Sequence, residues 1–529
     1  MALGEELVGA RFARAQLESL RERMLSYANE HQDLILRAAR GRADSVRNLI
    51  HYIALREHNL RPLQKHLASL GLSSLGRAEP CVLANVEAVM HAASRLPDPP
   101  LEPVAPTPGA MPLKIGWATL AAQADALLGP RPAGRAVRIM VTMPSEAAAA
   151  PGFVEECVGH GMNVMRINTA HDDADAWMRM VRNARTAERR LGRRCRVFAD
   201  LAGPKLRTSR LAIDGAEAPA LRFEAGDVLT LQLDHGGAGA EAGASVWCSE
   251  PEALAGLGRG HAVWFDDGKI GATVEDIDDR GARLRVTFTK PGGQKLRLEK
   301  GLNLPDTQVA LPSLTVQDRE ALKLLAPHVD GFSLSFVRRG RDVRDMRDAL
   351  RSVTDRTIGV VLKVETREGF SHLPELLFEL LTMPVGGVMI ARGDLAVECG
   401  FERLAEIQEE ILWFCEAAHT PVIWATEVLD SLAKLGRPTR AEITDAAMAQ
   451  RAECVMLNKG PEILRALATL SDILVRMEPH QRKKMAMFRP LRIASFPDEA
   501  EDIDALLSPP SFRAAAPAPP APEAPAAPS

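Results

Sequence analysis

Charged and polar residues follow three successive apolar runs in the second half of the chain. The runs lead into Lys363-Val364-Glu365, Arg392-Gly393-Asp394 and Ala425-Thr426-Glu427. A short apolar run that ends in a polar turn is typical of the buried strands of parallel sheets. In a βα barrel the C-terminal ends of the strands build the active site, so we expect these residues to share one site.

The polar residues at the predicted strand ends combine cations, carboxylates and hydroxyls. Glu365 and Asp394 are hard oxygen ligands suited to Mg²⁺, with waters and a substrate completing its six positions. Lys363 and Arg166 are cations suited to a phosphoryl group in transfer, and Thr426 could orient a substrate or relay a proton. Phosphoryl transfer needs this mixture because its catalysis is mainly positioning and charge neutralisation. The full set is Thr142, Arg166, Asn168, Asp200, Ser335, Lys363, Glu365, Arg392, Asp394, Thr426 and Asn458.

Each of these residues also has a simpler structural interpretation. A lone Lys-x-Glu is more often a salt bridge, and a lone Arg-Gly-Asp is more often a turn. Asn168 taken alone is more often the cap of the following helix. The functional interpretation therefore depends on eight strand ends in the expected order, and not on any one residue.

A regular alternation of strand and helix patterns positions these residues. Strands are predicted at 137–143, 163–169, 196–201, 331–337, 357–365, 386–392, 421–427 and 454–460. Helical patterns separate most of them, for example 175–190, 317–325, 343–353 and 403–418. Alternating βα elements imply a parallel sheet, and eight such units imply a closed barrel. The predicted fold class is α/β, a (β/α)8 TIM barrel with a small inserted β domain, preceded by an α-helical N-terminal region.

The inserted β domain is predicted at 208–299. This interval is Gly-rich and contains short strand patterns, such as 228–231 and 263–265, separated by turns such as Asp266-Asp267-Gly268. Its removal leaves about 250 residues, the usual size of a βα barrel. We therefore assign 117–207 and 300–485 to the first and second parts of the barrel.

The two ends of the chain differ from the barrel in composition. Residues 1–95 show apolar positions at helical spacing, which predicts a helical region for packing or assembly; a ligand-binding regulator is the alternative. Residues 96–116 form a Pro-rich linker, because so many prolines are incompatible with helix or sheet. Residues 486–529 are predicted to be a C-terminal extension, largely disordered because its last part is mostly Pro and Ala.

Composition excludes several classes of function. The formal net charge of −4 and the 4% aromatic content argue against a nucleic-acid partner. No run of about 18 apolar residues predicts a membrane span, and the first residues lack the apolar core of a signal peptide. The seven cysteines form no CxxC pair, so reduced thiols in the cytoplasm are expected and no zinc site is indicated.

The order of these motifs resembles that of the pyruvate kinase family over roughly half of the chain. The matching segments are Val164-Met165-Arg166-Ile167-Asn168 with His171, Asp200-Leu201-Ala202-Gly203-Pro204-Lys205-Leu206-Arg207, Asp266-Asp267-Gly268, Lys300-Gly301-Leu302-Asn303-Leu304-Pro305, Ser335-Phe336-Val337-Arg338, Lys363-Val364-Glu365, Ala391-Arg392-Gly393-Asp394-Leu395, Ala425-Thr426 and Arg437-Pro438-Thr439-Arg440-Ala441-Glu442. The family's fold, a barrel with a small β domain inserted after the third strand, is also the one predicted above.

The resemblance implies a role for each residue at the heart of the predicted site. Glu365 and Asp394 match the ligands of the divalent metal, Mg²⁺ or Mn²⁺. Lys363 matches the cation on the phosphoryl group in flight. Thr426 and the backbone N–H groups of Gly393 and Asp394 match the groups that hold the substrate carboxylate.

The resemblance also implies the substrates. Arg166 and Arg207 match phosphate-facing arginines, and the resemblance gives Arg166 a catalytic role as well. His171 and Lys300 match nucleotide contacts. The resemblance also implies that Ser335 is a substrate-binding residue. The implied reaction moves a phosphoryl group from phosphoenolpyruvate to ADP and gives pyruvate and ATP.

The sequence departs from the family at its monovalent-cation site. Asn168 and Asp200 match two of the ligands, but Ala170 stands where the family has Ser. Lys205 stands where the family often has Glu, and members that need no K⁺ carry Lys there. The resemblance therefore implies that the Lys205 ammonium substitutes for K⁺ and that K⁺ is not required.

Two further departures keep alternatives open. The eighth strand ends in Asn458-Lys459-Gly460-Pro461, where the family has Ser-Gly-Glu-Thr, and that Ser has been assigned to a proton relay. An enzyme acting on a different phosphorylated acid, or a non-catalytic nucleotide-binding or assembly protein, is therefore the alternative. The family's C-terminal effector domain is not matched, so its allostery is not expected, whereas a homo-oligomer through the N-terminal helices is possible.

Overall fold

Eight parallel strands close into a barrel in the computed structural model, which describes residues 2–96, 105–233, 243–278, 281–482 and 485–486. The barrel strands are Arg138–Thr142, Val164–Asn168, Arg196–Asp200, Gly331–Leu334, Gly359–Val364, Gly386–Ala391, Val422–Ala425 and Cys454–Leu457. Neighbours in this order pair in parallel, and the eighth strand closes against the first. The predicted TIM barrel is confirmed. Each strand ends slightly before its predicted boundary, since its last polar residues already lie in the following loop.

Helices cover the outside of the barrel. They are Pro151–Gly159, Ala174–Leu191, Val316–Leu325, Gly340–Val353, Arg367–Ser371, Leu373–Leu380, Arg392–Cys399, Phe401–Ala417, Asp430–Leu435, Arg440–Met448 and Ile463–Met477. Their apolar faces bury Leu322, Leu350, Leu377 and Leu467 in one core with the outward side chains of the strands. This core fixes the strand ends that carry the polar residues.

A helix that the sequence analysis did not foresee closes the bottom of the barrel. Leu113–Leu128 begins within the segment assigned to the Pro-rich linker, and its Leu127 and Leu128 are buried with inward side chains of the barrel strands. A Cβ atom added to Gly359 would lie 2.6 Å from Leu127 Cδ1, and one added to Gly387 would lie 2.5 Å from Leu127 Cδ2. The two strands therefore need glycine where this helix enters.

The inserted domain is a separate β structure, as predicted. Its main sheet has the strand order Leu302–Asn303, Ala262–Phe265, Ile270–Asp278, Gly281–Phe288, Val228–Gln232, Ala244–Cys248, Thr208–Ile213 and Ala216–Glu217. A second, two-stranded sheet pairs Gln294–Arg297 with Ala220–Phe223. The domain has its own apolar core, which includes Leu229, Val263 and Leu284. Its last strand, Leu302–Asn303, lies beyond residue 299, the predicted end of the insertion.

The predicted helical N-terminal region is present and packs on the barrel. Its helices are Ala2–Glu30, Gln32–Arg37, Ala43–Arg56, Arg61–Ser69 and Val82–Ala93. The regularly spaced Leu17, Leu20 and Met24 are buried in the same apolar cluster as the barrel helices. The region is therefore continuous with the barrel core.

Buried polar groups fix the N-terminal helices to the helix Phe401–Ala417. The Asn48 amide donates to Glu79 O at 2.7 Å and to Ala417 O at 2.9 Å, and its oxygen accepts from Val82 N at 2.8 Å. His419 lies between the N-terminal region and the barrel, with both ring nitrogens in hydrogen-bond contact. Burial lowers the pKa of His419 to about 4, so it is neutral at neutral pH.

Some predicted segments lie outside the described residues. They are 97–104 of the linker and 487–529 of the C-terminal extension, and the domain boundaries remain predictions. In the described part of the chain, no helix has both the length and the apolar character needed to cross a membrane.

Replacing Asn48 by Ala tests how firmly the N-terminal helices are joined to the barrel. Asn48→Ala removes three buried hydrogen bonds, those to Glu79 O and Ala417 O and the one from Val82 N, so the free energy of unfolding should fall by about 2–4 kcal/mol. Urea unfolding followed by circular dichroism measures this change. Asn59→Ala at an exposed position is the control and should change little. Equal urea midpoints for the two variants would contradict the role of Asn48.

Candidate active site

The structure brings the strand-end residues together at the C-terminal mouth of the barrel. Lys363 belongs to the fifth strand, Arg166 to the second, and Asp200 ends the third. Ser335 and Glu365 directly follow the fourth and fifth strands. All five side chains are buried, so their charges must be balanced by one another.

Lys363 is the centre of this cluster. Its Nζ lies 2.8 Å from Ser335 Oγ, 3.1 Å from Glu365 Oε1 and 3.3 Å from Asp200 Oδ1. Burial acts to lower the pKa of Lys363, but the carboxylates of Asp200 and Glu365 outweigh it and the pKa is raised. Lys363 is therefore a fixed, fully protonated cation.

Arg166 holds Asp200 from the other side. Its Nε donates to Asp200 Oδ2 at 2.6 Å, and its Nη1 donates to Thr142 Oγ1 at 2.8 Å. Asp200 is 1% exposed, and its Oδ1 accepts no hydrogen bond among the described residues although Lys363 Nζ is near. A buried carboxylate oxygen with spare acceptor capacity faces the site.

Glu365 accepts a hydrogen bond from a strained segment of the backbone. Its Oε2 accepts from Phe336 N at 2.7 Å, and Phe336 has a φ of 53°, a conformation unfavourable for a residue with a side chain. Burial raises the pKa of Glu365, Lys363 opposes the change, and the negative charges of Asp394 and Asp200 add to it. Glu365 is therefore a carboxylate that gains from a further cation.

Asp394 already faces a cation of the chain itself. Lys205 Nζ lies 3.1 Å and 3.2 Å from the two carboxylate oxygens of Asp394, and 4.0 Å from Asp267 Oδ1. The structure thus places Lys205 beside Asp394, and none of its described contacts is to Asn168 or Asp200. Asn168 Oδ1 instead accepts from Ala170 N at 3.1 Å.

The donor set at Glu365 and Asp394 fits Mg²⁺. The ammonium of Lys205 at Asp394 shows that this place attracts positive charge. No three His, Cys, Asp or Glu side chains of the described residues are grouped as a metal site. Mg²⁺ suits such a site, because it is usually held by one or two carboxylates and keeps waters and substrate oxygens as its other ligands.

The loop after the seventh strand has an unusual backbone. Thr426 and Glu427 have φ angles of 72° and 58°. A Cβ atom added to Gly393 would lie 2.9 Å from Thr426 Cγ2, so the start of the helix Arg392–Cys399 approaches Thr426 too closely for any other residue. The N–H groups of Gly393 and Asp394 have no intrahelical acceptor there and can bind an anion.

Arg392 supports this loop and does not act as a free cation of the site. Its Nε donates to Ala425 O at 2.8 Å, and its Nη2 donates to Asp445 Oδ2 at 2.8 Å and also contacts Thr426 O. The sequence analysis grouped Arg392 with the rim residues and missed Asp445. The nearest sequence signal was the matching run at 437–442, just before Asp445.

The residues expected to contact a nucleotide lie on another flank of the mouth. His171 is exposed. Partial burial still lowers its pKa, and the charges of Lys459, Arg207 and Arg166 add to the effect. Arg207 Nη1 donates to Glu299 O at 3.1 Å. Lys300 Nζ lies 3.3 Å from Asp266 Oδ1 in the inserted domain.

A buried link that the sequence analysis missed joins the inserted domain to the Asp394 helix. Asn303 Nδ2 donates to Glu398 Oε1 at 3.1 Å. Burial raises the pKa of Glu398 to about 7. The last strand of the insertion is therefore tied to the helix whose first turn carries Asp394.

Comparison with known proteins supplies an independent result. The family model "Pyruvate kinase, barrel domain" matches residues 134–461. The chain is 33% identical to pyruvate kinase of Geobacillus stearothermophilus over 325 residues, which is 60% of this chain and 53% of the relative. It is 32% identical to pyruvate kinase of Thermotoga maritima over 345 residues, 64% of this chain and 69% of the relative.

A plant protein is similarly related. The cytosolic pyruvate kinase isozyme of Nicotiana tabacum is 32% identical over 352 residues, 64% of this chain and 66% of the relative. The chain spans little more than half the length of several of the curated relatives it matches.

Replacing Lys363 by Met tests the charge balance of the cluster. Lys363→Met leaves buried carboxylates without their cation and should lower the free energy of unfolding by about 3–5 kcal/mol at pH 8. The folded-state pKa of Glu365 is already raised and should rise further in the variant. The loss of unfolding free energy should therefore grow as pH increases above the ordinary glutamate pKa of about 4.3. Urea unfolding at pH 5 and pH 8 measures it.

The control for this experiment is Lys323→Met on an outer helix, where the side chain is exposed. This variant should be close to wild type at both pH values. A deficit for Lys363→Met that is the same at pH 5 and pH 8 would contradict the proposed charge balance.

Proposed function

The chain belongs to the pyruvate kinase family, and we propose that it transfers the phosphoryl group of phosphoenolpyruvate to ADP, giving pyruvate and ATP. The observation that carries the proposal is the Lys363 ammonium, buried between Asp200 and Glu365 at the barrel mouth. A buried cation with a raised pKa is suited to neutralise a phosphoryl group in flight, because the site is preorganised and excludes water.

Charge neutralisation would be shared between Lys363 and Arg166. Both are held in place by Asp200, so neither must reorganise during the transfer. As the phosphoryl group leaves the enol oxygen and bonds to the ADP oxygen, negative charge on its other oxygens stays within reach of these two cations.

Glu365 and Asp394 would hold Mg²⁺, and Mn²⁺ could replace it. A divalent cation held by these two carboxylates would supply positive charge to offset the phosphoryl oxygens. For this to happen the Lys205 ammonium must leave Asp394. The raised pKa of Glu365 supports the assignment, because a divalent cation would relieve the repulsion from Asp394.

The substrate carboxylate would bind at the start of the helix Arg392–Cys399. The N–H groups of Gly393 and Asp394 lie in the first turn, where they have no intrahelical acceptor, and the Thr426 side chain lies beside Gly393. Ser335 is less suited to direct contact than we expected from the sequence. Its hydroxyl donates to Leu201 O at 2.6 Å and accepts from Lys363, so we propose that it positions Lys363.

The nucleotide phosphates would bind to Arg166, Arg207, His171 and Lys300. The positive charges of Arg166, Arg207 and Lys459 already influence His171, which supports a shared anion-binding region. Lys300 would have to exchange its contact with Asp266 for a phosphate.

Lys205 would also remove the need for K⁺. When a divalent metal occupies Asp394, we propose that the displaced ammonium turns to Asp200, whose Oδ1 accepts no hydrogen bond among the described residues and whose strand pairs with Asn168. This movement would restore a positive charge where the family binds its monovalent cation. The proposal therefore combines a divalent-metal requirement with K⁺ independence.

A different phosphorylated acid is the second candidate substrate. The specific reason is the segment directly after the eighth strand, where Asn458 and Lys459 stand in place of the Ser that the family assigns to a proton relay. Turnover of another phosphorylated acid, with no turnover of phosphoenolpyruvate, would favour this candidate.

Pyruvate release measures the proposed activity directly. Purified protein supplied with phosphoenolpyruvate, ADP and Mg²⁺ should release pyruvate at equal rates in Na⁺ and K⁺ buffers. Lys363→Met should reduce the rate by at least about a hundredfold, because one preorganised charge is lost. Lys323→Met, which is remote and exposed, should keep the wild-type rate. A large stimulation by K⁺ would refute K⁺ independence, and no release in either buffer would refute the activity.

Binding of Mn²⁺, followed by electron paramagnetic resonance, tests the metal ligands without catalysis. Glu365→Gln and Asp394→Asn should each weaken binding by about tenfold or more, since each removes a carboxylate. Lys205→Met should strengthen binding, because the metal no longer has to displace the ammonium. The exposed Glu402→Gln is the control. Unchanged affinity in the first two variants would place the metal elsewhere.

A further inference from the structure

A cluster of like charges lies on the inserted domain, outside the proposed site. Arg222 and Lys295 are direct cross-strand partners in the two-stranded sheet, and both are exposed. Arg297 is two residues beyond Lys295 and shares its face, because side chains alternate along a strand. Lys290 lies in the turn that precedes this strand. We call Arg222, Lys290, Lys295 and Arg297 the basic face.

The basic face is not neutralised by the described part of the chain. Within that part, no carboxylate forms an ion pair with Lys290, Lys295 or Arg297, and Arg222 donates to the carbonyl oxygen of Gly292. The neighbouring Lys269 and Lys300 differ, because both pair with Asp266. Like charges directly opposite each other destabilise a sheet, and the whole chain carries a net charge of −4. Repulsion within the basic face therefore destabilises the sheet, and a bound anion would remove this repulsion.

A cavity accompanies the basic face. Its volume is about 780 Å³, and its lining includes all four cations. Two phenylalanines with large exposed fractions also line it, Phe288 at 52% and Phe401 at 70%. Phe288 belongs to the inserted domain, whereas Phe401 begins a helix of the barrel. A ligand in this cavity therefore contacts both domains.

We propose that this cavity binds a small polyanion that carries two or more phosphoryl groups. Lys and Arg side chains are the usual ligands of phosphate oxygens. Cross-strand neighbours are about 5 Å apart, and residues two apart on a strand are about 7 Å apart. Arg222, Lys295 and Arg297 can thus contact adjacent phosphoryl groups together, and the phenylalanine rings offer an apolar surface to the rest of the ligand.

The cavity is distinct from the reacting centre. Lys363, Glu365, Arg166 and Asp394 do not line it. Lys300 of the proposed nucleotide-binding region does line it, on the side where Asp266 and Asp267 supply carboxylates. Binding here needs neither phosphoryl transfer nor a divalent metal. The inference therefore stands or falls separately from the proposed function.

Titration calorimetry with inorganic tripolyphosphate tests the inference. The full chain is used in metal-free buffer without phosphoenolpyruvate or ADP. Lys295→Gln/Arg297→Gln should weaken binding at least tenfold, while Arg207→Gln, in the proposed nucleotide-binding region, should leave it within twofold. Orthophosphate should bind more weakly than tripolyphosphate, because it engages fewer cations.

The matched control has the same change in charge at exposed positions of two barrel helices. Lys323→Gln/Arg351→Gln should bind like wild type, and thermal melts show whether both double variants remain folded. Equal weakening in the two double variants would show a general charge effect and overturn the inference. Loss of binding in Arg207→Gln with no loss in Lys295→Gln/Arg297→Gln would place tripolyphosphate in the nucleotide-binding region and overturn it too.

Discussion

The burial of the Lys363 ammonium group determines which charged groups must surround it in the site. Lys363 has lost its hydration, and such a loss is costly unless oppositely charged groups replace the water. Asp200 and Glu365 supply that charge, and Arg166 in turn balances Asp200. The cations are thus fixed before any ligand arrives, and a phosphoryl group would find them in place.

The barrel and its additions serve to hold this cluster. The charges come from the second, third and fifth strands, so the closed sheet sets the distances between them. Leu127 fills the bottom of the barrel under the same strands. The strained backbone at Phe336 and Thr426 lies at the mouth, where surrounding contacts maintain it. The N-terminal helices extend the outer core but contribute none of the charges discussed here.

Most of the barrel could be predicted because its strands are short apolar runs with polar residues at one end. The helix Leu113–Leu128 could not, since it follows a Pro-rich segment and its buried residues contact strands distant in sequence. The support of Arg392 by Asp445 also depends on tertiary folding. Lys205 was expected near Asn168 and Asp200, but its side chain reaches Asp394 instead. Its sequence position could not reveal which of two acidic groups the flexible side chain meets.

Phosphorus NMR of the protein with phosphoenolpyruvate, ADP and Mg²⁺ follows every phosphoryl group in one sample and so tests the proposed direct transfer. The phosphoenolpyruvate signal should decline while the ATP signals grow in equal amount. Growth of orthophosphate without ATP, or no change in any signal, would contradict it.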